Sequence, residues 1–406
     1  MLLLAFLYRI GLALHPLFPF VSPADFAEYF VLFLNTLNVC AALAAVAYLL
    51  RILLKKSMAA TWCALILLVS ETPVWFYTRA FYTDSLSFCF SITAAAFFLK
   101  GVSFFTDPEQ EKTVRKKVRG MCALGASALL WGLGWLWKPT ACISLVAAAL
   151  ALLLCGLPGK AVRKGLGKPF LLFVCVLFLL PTAFSWIRKD LPSETSPLRE
   201  AYRVPVTFWI ALGLRKDGSW TENSSFHSSV FAISDPRERA AFVNRYISEH
   251  RSDFLEPSHL KAKLLRNFAS GDLNWVREAR LTRSPYAAYM DYMHYDTARW
   301  LWPYNILSLG HWLFLLFLIL SSAAGSALTW LLPGKGNKDL SLAPLTAHLT
   351  LFGLFLFLMV WESNPRQLYN HIPWLCFCAS LGLEQLSGFS AVRTLRLLSG
   401  RKIPRS

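Results

Sequence analysis

The sequence is poor in charged residues, and this scarcity excludes most classes of soluble protein. Asp, Glu, Lys and Arg make up 16% of its 406 residues, against about 25% in ordinary soluble domains. Hydrophobic residues make up 55%, and several apolar stretches approach the roughly 20 residues that cross a bilayer as a helix. A helix satisfies its own backbone polar groups where water cannot reach them. The composition therefore predicts an all-α polytopic membrane protein.

The sequence also lacks cysteine in its long polar region and lacks a glycine-rich phosphate loop. All nine cysteines fall within apolar segments, and none lies in 188–298. We therefore expect neither a disulfide framework nor a zinc site. Without a glycine-rich loop, the sequence does not support a nucleotide-sugar donor bound in that way. We expect no metal and no cofactor.

The basic residues indicate membrane topology. The formal net charge is +17, which in a soluble protein would suggest nucleic acid. Here Lys and Arg concentrate in short connectors between apolar segments and in the tail "RTLRLLSGRKIPRS", a distribution typical of cytoplasmic loops. We therefore expect membrane lipids and no nucleic acid as partners, with both termini cytoplasmic.

Ten apolar segments define the predicted organisation. Basic connectors occur at alternate positions between them, as one fixed orientation requires. The segments are 2–20, 27–53, 59–77, 85–104, 120–137, 139–157, 170–187, 305–332, 345–362 and 371–387. These give N-terminal transmembrane helices over 1–187, an extracytoplasmic loop subdomain over 188–304, C-terminal transmembrane helices over 305–387 and a basic cytoplasmic tail over 388–406. No internal repeat is evident, which argues against an inverted-repeat transporter.

The polar loop subdomain contains helix signals of its own. "SDPRERAAFVNRYISEH" offers Ser234 or Asp235 as the N-cap and Pro236 in the first turn, which predicts a helix start. "EPSHLKAKLLRNF" predicts an amphipathic helix. Its apolar face is Leu260, Leu264 and Phe268, with Lys261 and Lys263 beside it.

Three short polar stretches lie on the predicted outer face. They are "YTRAFYTD" at 77–84, Lys138 directly after "WGLGWLW", and "ESNPRQLYNH" at 362–371. Tyrosines and snorkelling Lys or Arg are common at membrane boundaries, so an aromatic belt with an Arg79–Asp84 salt bridge is one interpretation. The other is a shared site, since conspicuous charges cluster at one boundary of a chain that has few.

The order of these motifs resembles a known family. "YTRAFYTD", then "KPT" at 138–140, then a large outer loop containing "ALGLRKDGSWTENSSF", and finally "ESNPRQLYNHIPWL" are similar to the bacterial polytopic glycosyltransferases of the GT-C type. Within that type the resemblance is to relatives of protein O-mannosyltransferases and lipid A aminoarabinose transferases. The likeness extends over nearly the whole chain. It implies sugar transfer from a polyprenyl-phosphate donor to an acceptor on the outer face of a bacterial plasma membrane.

The resemblance suggests roles for the polar residues. A phosphate leaving group needs cations, and an incoming hydroxyl needs a carboxylate as general base. The candidate cations are Arg79, Lys138 and Arg366. The candidate bases are Asp84 and Glu362, and the candidate substrate-binding residues are Tyr82, Trp137, Tyr369 and His371.

The first outer connector departs from the family pattern. The family's main catalytic carboxylate lies in the first outer loop, whereas "VSPADF" here is very short and offers Asp25, with Glu28 after it. Either the chain is an N-terminally shortened homologue, which we favour, or Asp25 has taken that role. A transporter or flippase of a lipid-linked glycan and a noncatalytic assembly subunit stay open as alternatives to an enzyme.

Overall fold

A computed structural model describes most of the chain as helix. The described residues are 9–17, 20–78, 83–106, 114–155, 169–179, 182–183, 204–220, 223–269, 298–331 and 342–399, and every regular element in them is helical. The chain divides into two units. The first comprises Met1–Pro181, Gly310–Leu351 and Tyr369–Ser406, and the second comprises Thr182–Leu309 and Phe352–Leu368.

The helices are named here in chain order. The first eight are α1 (Pro23–Tyr48), α2 (Met58–Ser70), α3 (Thr72–Thr78), α4 (Thr83–Leu86), α5 (Phe90–Thr106), α6 (Val114–Trp137), α7 (Ile143–Leu154) and α8 (Pro169–Leu179). The second unit contains α9 (Thr207–Gly213), α10 (Ser224–Ala232), α11 (Pro236–His250) and α12 (Pro257–Phe268). The last three are α13 (Ala298–Leu331), α14 (Leu342–Val360) and α15 (Ile372–Ser399), and the 3-10 helix Pro365–His371 precedes α15.

The predicted membrane protein class is confirmed. Five helices among the described residues are long and apolar enough to cross a bilayer, namely Tyr29–Leu53, Thr83–Phe105, Val114–Trp137, Ile306–Ala327 and Leu342–Val360. Three shorter apolar helices, Met58–Ser70, Pro139–Leu154 and Pro169–Leu179, also coincide with predicted spans. The predicted span 371–387 lies within α15. The first predicted span, 2–20, falls partly outside the described residues.

One predicted span is interrupted. Residues 59–77 form two helices because Glu71 adopts an extended conformation between α2 and α3. Pro73 has no N–H to donate to the carbonyl of Val69 four residues earlier, so a continuous helix would lose that bond. The indole Nε1 of Trp75 donates to the Val69 carbonyl oxygen at 2.6 Å instead, which satisfies the group where water is scarce.

The start of α15 forms the centre of the first unit. Residues 369–382 are all buried, and a hydrogen-bond network joins this helix to α5, α6 and α7. Trp374 Nε1 donates to Ser91 Oγ at 2.8 Å, Ser91 Oγ donates to Ser144 Oγ at 2.8 Å, and Trp131 Nε1 donates to Ser144 Oγ at 2.9 Å. Buried polar groups linked in this way specify one arrangement of the helices.

The second unit has a small aromatic core. Asp235 Oδ1 accepts from Arg237 N at 3.0 Å with Pro236 in the first turn, so the predicted start of α11 is confirmed. The core packs α9, α10 and α11 together through Phe208, Ala211, Leu212, Phe226, Val230 and Val243. Helix α12 also forms as predicted, but its buried residues are polar, and they are discussed below.

The predicted topology can be tested with two engineered cysteines in a cysteine-free background. Ser229 is exposed on α10 in the predicted outer subdomain, and Lys117 is exposed on α6 in a predicted cytoplasmic connector. Because a fixed orientation places these connectors on opposite sides, an impermeant maleimide should label Ser229→Cys in intact cells. Lys117→Cys should react only after permeabilisation. The reverse pattern would contradict the outer location of 188–304.

Candidate functional site

A buried ion pair forms the centre of the candidate site in the first unit. Asp84 has 0% exposure, and its Oδ1 lies 2.8 Å from Lys138 Nζ. The Lys138 side chain is 13% exposed. Each charge would be costly alone in so dry a place, so the two depend on each other. Two candidates that the sequence assigned to different roles therefore contact each other directly.

The ends of two membrane spans bring this pair together. Asp84 is the second residue of the span Thr83–Phe105, and Lys138 directly follows the span Val114–Trp137. Lys138 precedes Pro139 and is extended, with φ −150° and ψ 103°, as expected for a residue before proline. Helix α6 therefore ends here. Lys138 at the end of this span meets Asp84 at the start of the span Thr83–Phe105.

Two amides of α1 hold the backbone on both sides of the Asp84 turn. Asn35 Nδ2 donates to the Thr78 carbonyl oxygen at 2.7 Å, and Asn38 Nδ2 donates to the Leu86 carbonyl oxygen at 3.1 Å. The candidates Arg79 and Tyr82 lie between these anchors but outside the described residues. Their roles stay predictions.

The residues before α15 complete the surroundings of Asp84. Asn370 Nδ2 lies 3.5 Å from Asp84 Oδ1. Tyr369 is fully buried, and its ring centroid lies 4.7 Å from that of Tyr77 and 4.8 Å from that of Phe88. Burial and the nearby Asp84 carboxylate raise the pKa of Tyr369 well above its ordinary value. The phenol therefore stays protonated and packs as part of an aromatic cluster.

Several buried polar atoms in this region have no hydrogen-bond partner within the described ranges. They are Trp137 Nε1, Thr140 Oγ1 and Asn370 Oδ1. Trp137 and Thr140 flank Lys138 in the chain, and an indole N–H and a hydroxyl are both donors. Unsatisfied buried donors call for a water or a ligand, and an acceptor-rich group such as a phosphate suits them. His371, another candidate, is fully buried beside Asn370 in the chain.

Asp25 has a structural role in the described chain. Ser22 is the N-cap of α1, and its Oγ accepts from Asp25 N at 3.2 Å and donates to Asp25 Oδ2 at 2.6 Å. Asp25 is exposed, in the first helical turn, where an acid is favourable. These contacts account for Asp25 without catalysis, and its catalytic role stays a prediction.

The second pair of candidates lies in a turn of the second unit. Helix α14 ends at Val360, and Glu362 follows with 6% exposure. Ser363 N donates to the Gly218 carbonyl oxygen at 2.9 Å, and Arg366 N donates to Asn364 Oδ1 at 3.2 Å. Glu362 and Arg366 belong to the second unit, whereas Asp84 and Lys138 belong to the first. The predicted cavity shared by all four residues stays a prediction.

Three ionisable side chains that the structure makes conspicuous were not among the sequence candidates. Lys263 on α12 is fully buried, with Nζ donating to two backbone carbonyls. Glu71 is 3% exposed and lies 2.9 Å from His311 Nε2. Pro73 after Glu71 is the sequence signal for the helix break. The spacing of His259, Lys263 and Asn267 along one helix face is the signal for Lys263.

No metal site emerges from the part of the chain that the structure describes, because no group of three or more His, Cys, Asp or Glu residues converges there.

Comparisons with known proteins give little guidance. No family model matches the chain, and no curated protein matches it. The crystal structure of an Archaeoglobus fulgidus oligosaccharyltransferase in complex with zinc and sulfate is similar, with a TM-score of 0.47 and 15% sequence identity. The match covers 97% of this chain and 42% of that one, so this chain spans less than half of the length of the other. So distant a likeness carries no argument about activity.

Proposed function

We propose that this chain is an integral-membrane glycosyltransferase that moves a sugar from a polyprenyl-phosphate donor to an acceptor on the outer face. The observation that carries the proposal is the buried Asp84–Lys138 pair at the ends of two membrane spans. Ionisable groups in such positions commonly mark substrate sites. The order of the sequence motifs supports the same function, and a lipid-borne donor explains a polar site at a membrane boundary.

The pair offers both groups that the transfer needs. A donor phosphate would draw the Lys138 ammonium from Asp84, and the Asp84 carboxylate would then accept the proton of the incoming hydroxyl. The bond between the sugar carbon and the phosphate oxygen breaks, and its electron pair leaves with the phosphate. A bond from the sugar carbon to the acceptor oxygen forms. In this proposal Asn370 orients the carboxylate, and the unpartnered Trp137 Nε1 and Thr140 Oγ1 donate to the phosphate.

Binding of polyprenyl phosphate to the protein in nanodiscs tests the role of Lys138. Lys138→Met should weaken binding about 10- to 100-fold, since a hydrogen bond to a charged group is worth about 1.5–3 kcal/mol. Lys56→Met is the matched control, because Lys56 also forms a 2.8 Å ion pair, with Glu384, but is more exposed. Its affinity should equal that of the wild type. Equal affinity in Lys138→Met, or equally tight binding of the uncharged polyprenol, would contradict the proposal.

One observation favours the second candidate, a transporter or flippase of a lipid-linked glycan. The break between α2 and α3, with the buried Glu71 paired to the partly exposed His311, resembles features of transport sites in membrane proteins. Reconstitution in proteoliposomes separates the two functions. A flippase moves a labelled lipid-linked sugar between leaflets and leaves its phosphate bond intact, whereas a transferase releases polyprenyl phosphate.

A further inference from the structure

Helix α12 buries a polar face. His259, Lys263 and Asn267 are spaced four residues apart, so they lie on one side of the helix, and their exposures are 4%, 0% and 0%. Leu264 and Leu265 are exposed instead, at 40% and 56%. A lysine is almost never fully buried unless it is paired. The contacts of Lys263 therefore explain why the polar face of α12 is buried.

The Lys263 ammonium lies between the carboxyl ends of two helices. Its Nζ donates to the carbonyl oxygen of Gly213 at 2.9 Å and to that of Trp361 at 2.6 Å. Gly213 is the last residue of α9, and Trp361 follows the last residue of α14. The last carbonyls of a helix have no partner within it, and the helix dipole there favours a cation. The Lys263 side chain thus supplies a hydrogen-bond donor to a carbonyl oxygen at the end of each helix.

The rest of the face binds the same two segments. Asn267 Nδ2 lies 3.4 Å from the Leu358 carbonyl oxygen and 3.5 Å from Ser363 Oγ. His259 Nδ1 lies 2.5 Å from the Lys216 carbonyl oxygen. Helix α12 therefore binds the end of α9 and the residues after it through His259 and Lys263. It binds the end of α14 and the turn after it through Lys263 and Asn267.

Two glycines allow this close approach. A β-carbon on Gly213 would collide with the carbonyl oxygens of Val360 and Trp361. Gly218 has φ +71°, and a β-carbon there would lie 2.7 Å from Ser363 Oγ and 3.1 Å from Lys263 Nζ. Glycine at both positions therefore lets α9 and the segment after it approach the turn that carries Glu362.

We propose that Lys263 is a positioning residue that holds the turn Trp361–Ser363 and sets the charge beside the Glu362 carboxylate. The role for Glu362 rests on the proposed function, for which the sequence analysis names Glu362, with Asp84, as a candidate carboxylate. Holding the turn does not depend on that function. We call the two hydrogen bonds from Lys263 Nζ, to Gly213 and to Trp361, the clamp. The clamp acts on Glu362 through Trp361, which directly precedes the glutamate.

Two acids of the described chain act on the Lys263 charge. Asp217 and Glu362 attract the ammonium, and Arg266, one turn further along α12, pairs with Asp217 at 3.9 Å. Burial lowers the pKa of Lys263 from 10.5 to about 7, against the opposing effect of the two acids. A neutral amine still has two N–H groups for the two carbonyls. Loss of the proton near neutral pH therefore keeps the clamp and removes the charge beside Glu362.

Hydrogen exchange of the full-length protein in nanodiscs tests the clamp without any substrate. In Lys263→Met, the amides of 358–364 should exchange at least about 10-fold faster, since the bond from Ser363 N to Gly218 loses its support. Lys261→Met, an exposed neighbour on α12, is the matched control and should exchange like the wild type. Unchanged exchange in Lys263→Met would overturn the clamp. If that variant does not fold, the wild type decides. The Ser363 amide, which donates to the Gly218 carbonyl oxygen, should be protected from exchange, and exchange at the rate of an unstructured chain would overturn the clamp.

Transfer kinetics then test the link to Glu362. If the wild type transfers sugar, its rate should change through about pH 7 because the charge beside Glu362 changes. Lys263→Met should lose this pH-dependent change in rate. It should also lower kcat more than it raises KM. Fast exchange at 358–364 combined with a wild-type pH profile would overturn the link. If the wild type transfers no sugar, the proposed function fails, while the exchange experiment still decides the clamp.

Discussion

Replacing Lys138 by methionine is expected to lower the free energy of unfolding by about 3–5 kcal/mol, because the change removes the ammonium that lies 2.8 Å from a fully buried Asp84 carboxylate. Methionine keeps the apolar stem of the lysine, so the loss reports the charge. Asp84→Asn should cost less, since Lys138 is 13% exposed and can reach water. Asn370 Nδ2 still finds an acceptor in the new amide.

A double-mutant cycle separates the pair from its surroundings. Asp84→Asn combined with Lys138→Met should be less destabilised than the sum of the two single variants, because the double variant removes both members of the ion pair. Chemical unfolding in detergent measures all three. The pair Lys56–Glu384 is the control, with side chains 34% and 26% exposed, and removing Lys56 should cost about 0–1 kcal/mol. A Lys138→Met loss no larger than the Lys56→Met loss would contradict the buried pair.

Local signals in the sequence predicted most of the helices. Apolar length gave the spans from 27–53 onward, and the Asp235–Pro236 cap gave the start of α11 because both depend on neighbouring residues alone. The break at Glu71 was missed, although Pro73 provides a local cause for it. Hydropathy averages over a window and does not register a single missing hydrogen bond.

The contacts of the candidate site could be predicted only in part. Alternating basic connectors placed Asp84 and Lys138 on one membrane face, but their direct pairing depends on how α5 and α6 pack. The acceptors of Lys263 could not be predicted for a related reason. Its acceptors lie 50 and 98 residues away in the chain, and the leucines of α12 favoured burial of the opposite face. The four-residue spacing of His259, Lys263 and Asn267 indicates a polar face, but only the packing of α12 against the ends of α9 and α14 shows that this face is buried.

Asp84→Asn is expected to reduce sugar transfer about 10²- to 10⁴-fold, since loss of a general base has effects of that size. In the proposed transfer the carboxylate accepts the proton of the incoming hydroxyl, and an amide of the same shape cannot accept it. Glu384→Gln is the matched control, because Glu384 also pairs with a lysine but lies away from the Asp84 turn, on α15. It should transfer at the wild-type rate.

The most direct test of the central claim is the release of polyprenyl phosphate from polyprenyl-phosphate-linked hexoses and pentoses. It is measured in envelope membranes that supply the acceptor, with the chain's own gene deleted and then restored as the wild type, Asp84→Asn or Glu384→Gln. The account predicts release from at least one donor by the wild type and Glu384→Gln, and a loss of about 10²-fold or more in Asp84→Asn. Wild-type release that is undetectable with every donor, or that persists unchanged in Asp84→Asn, would contradict it.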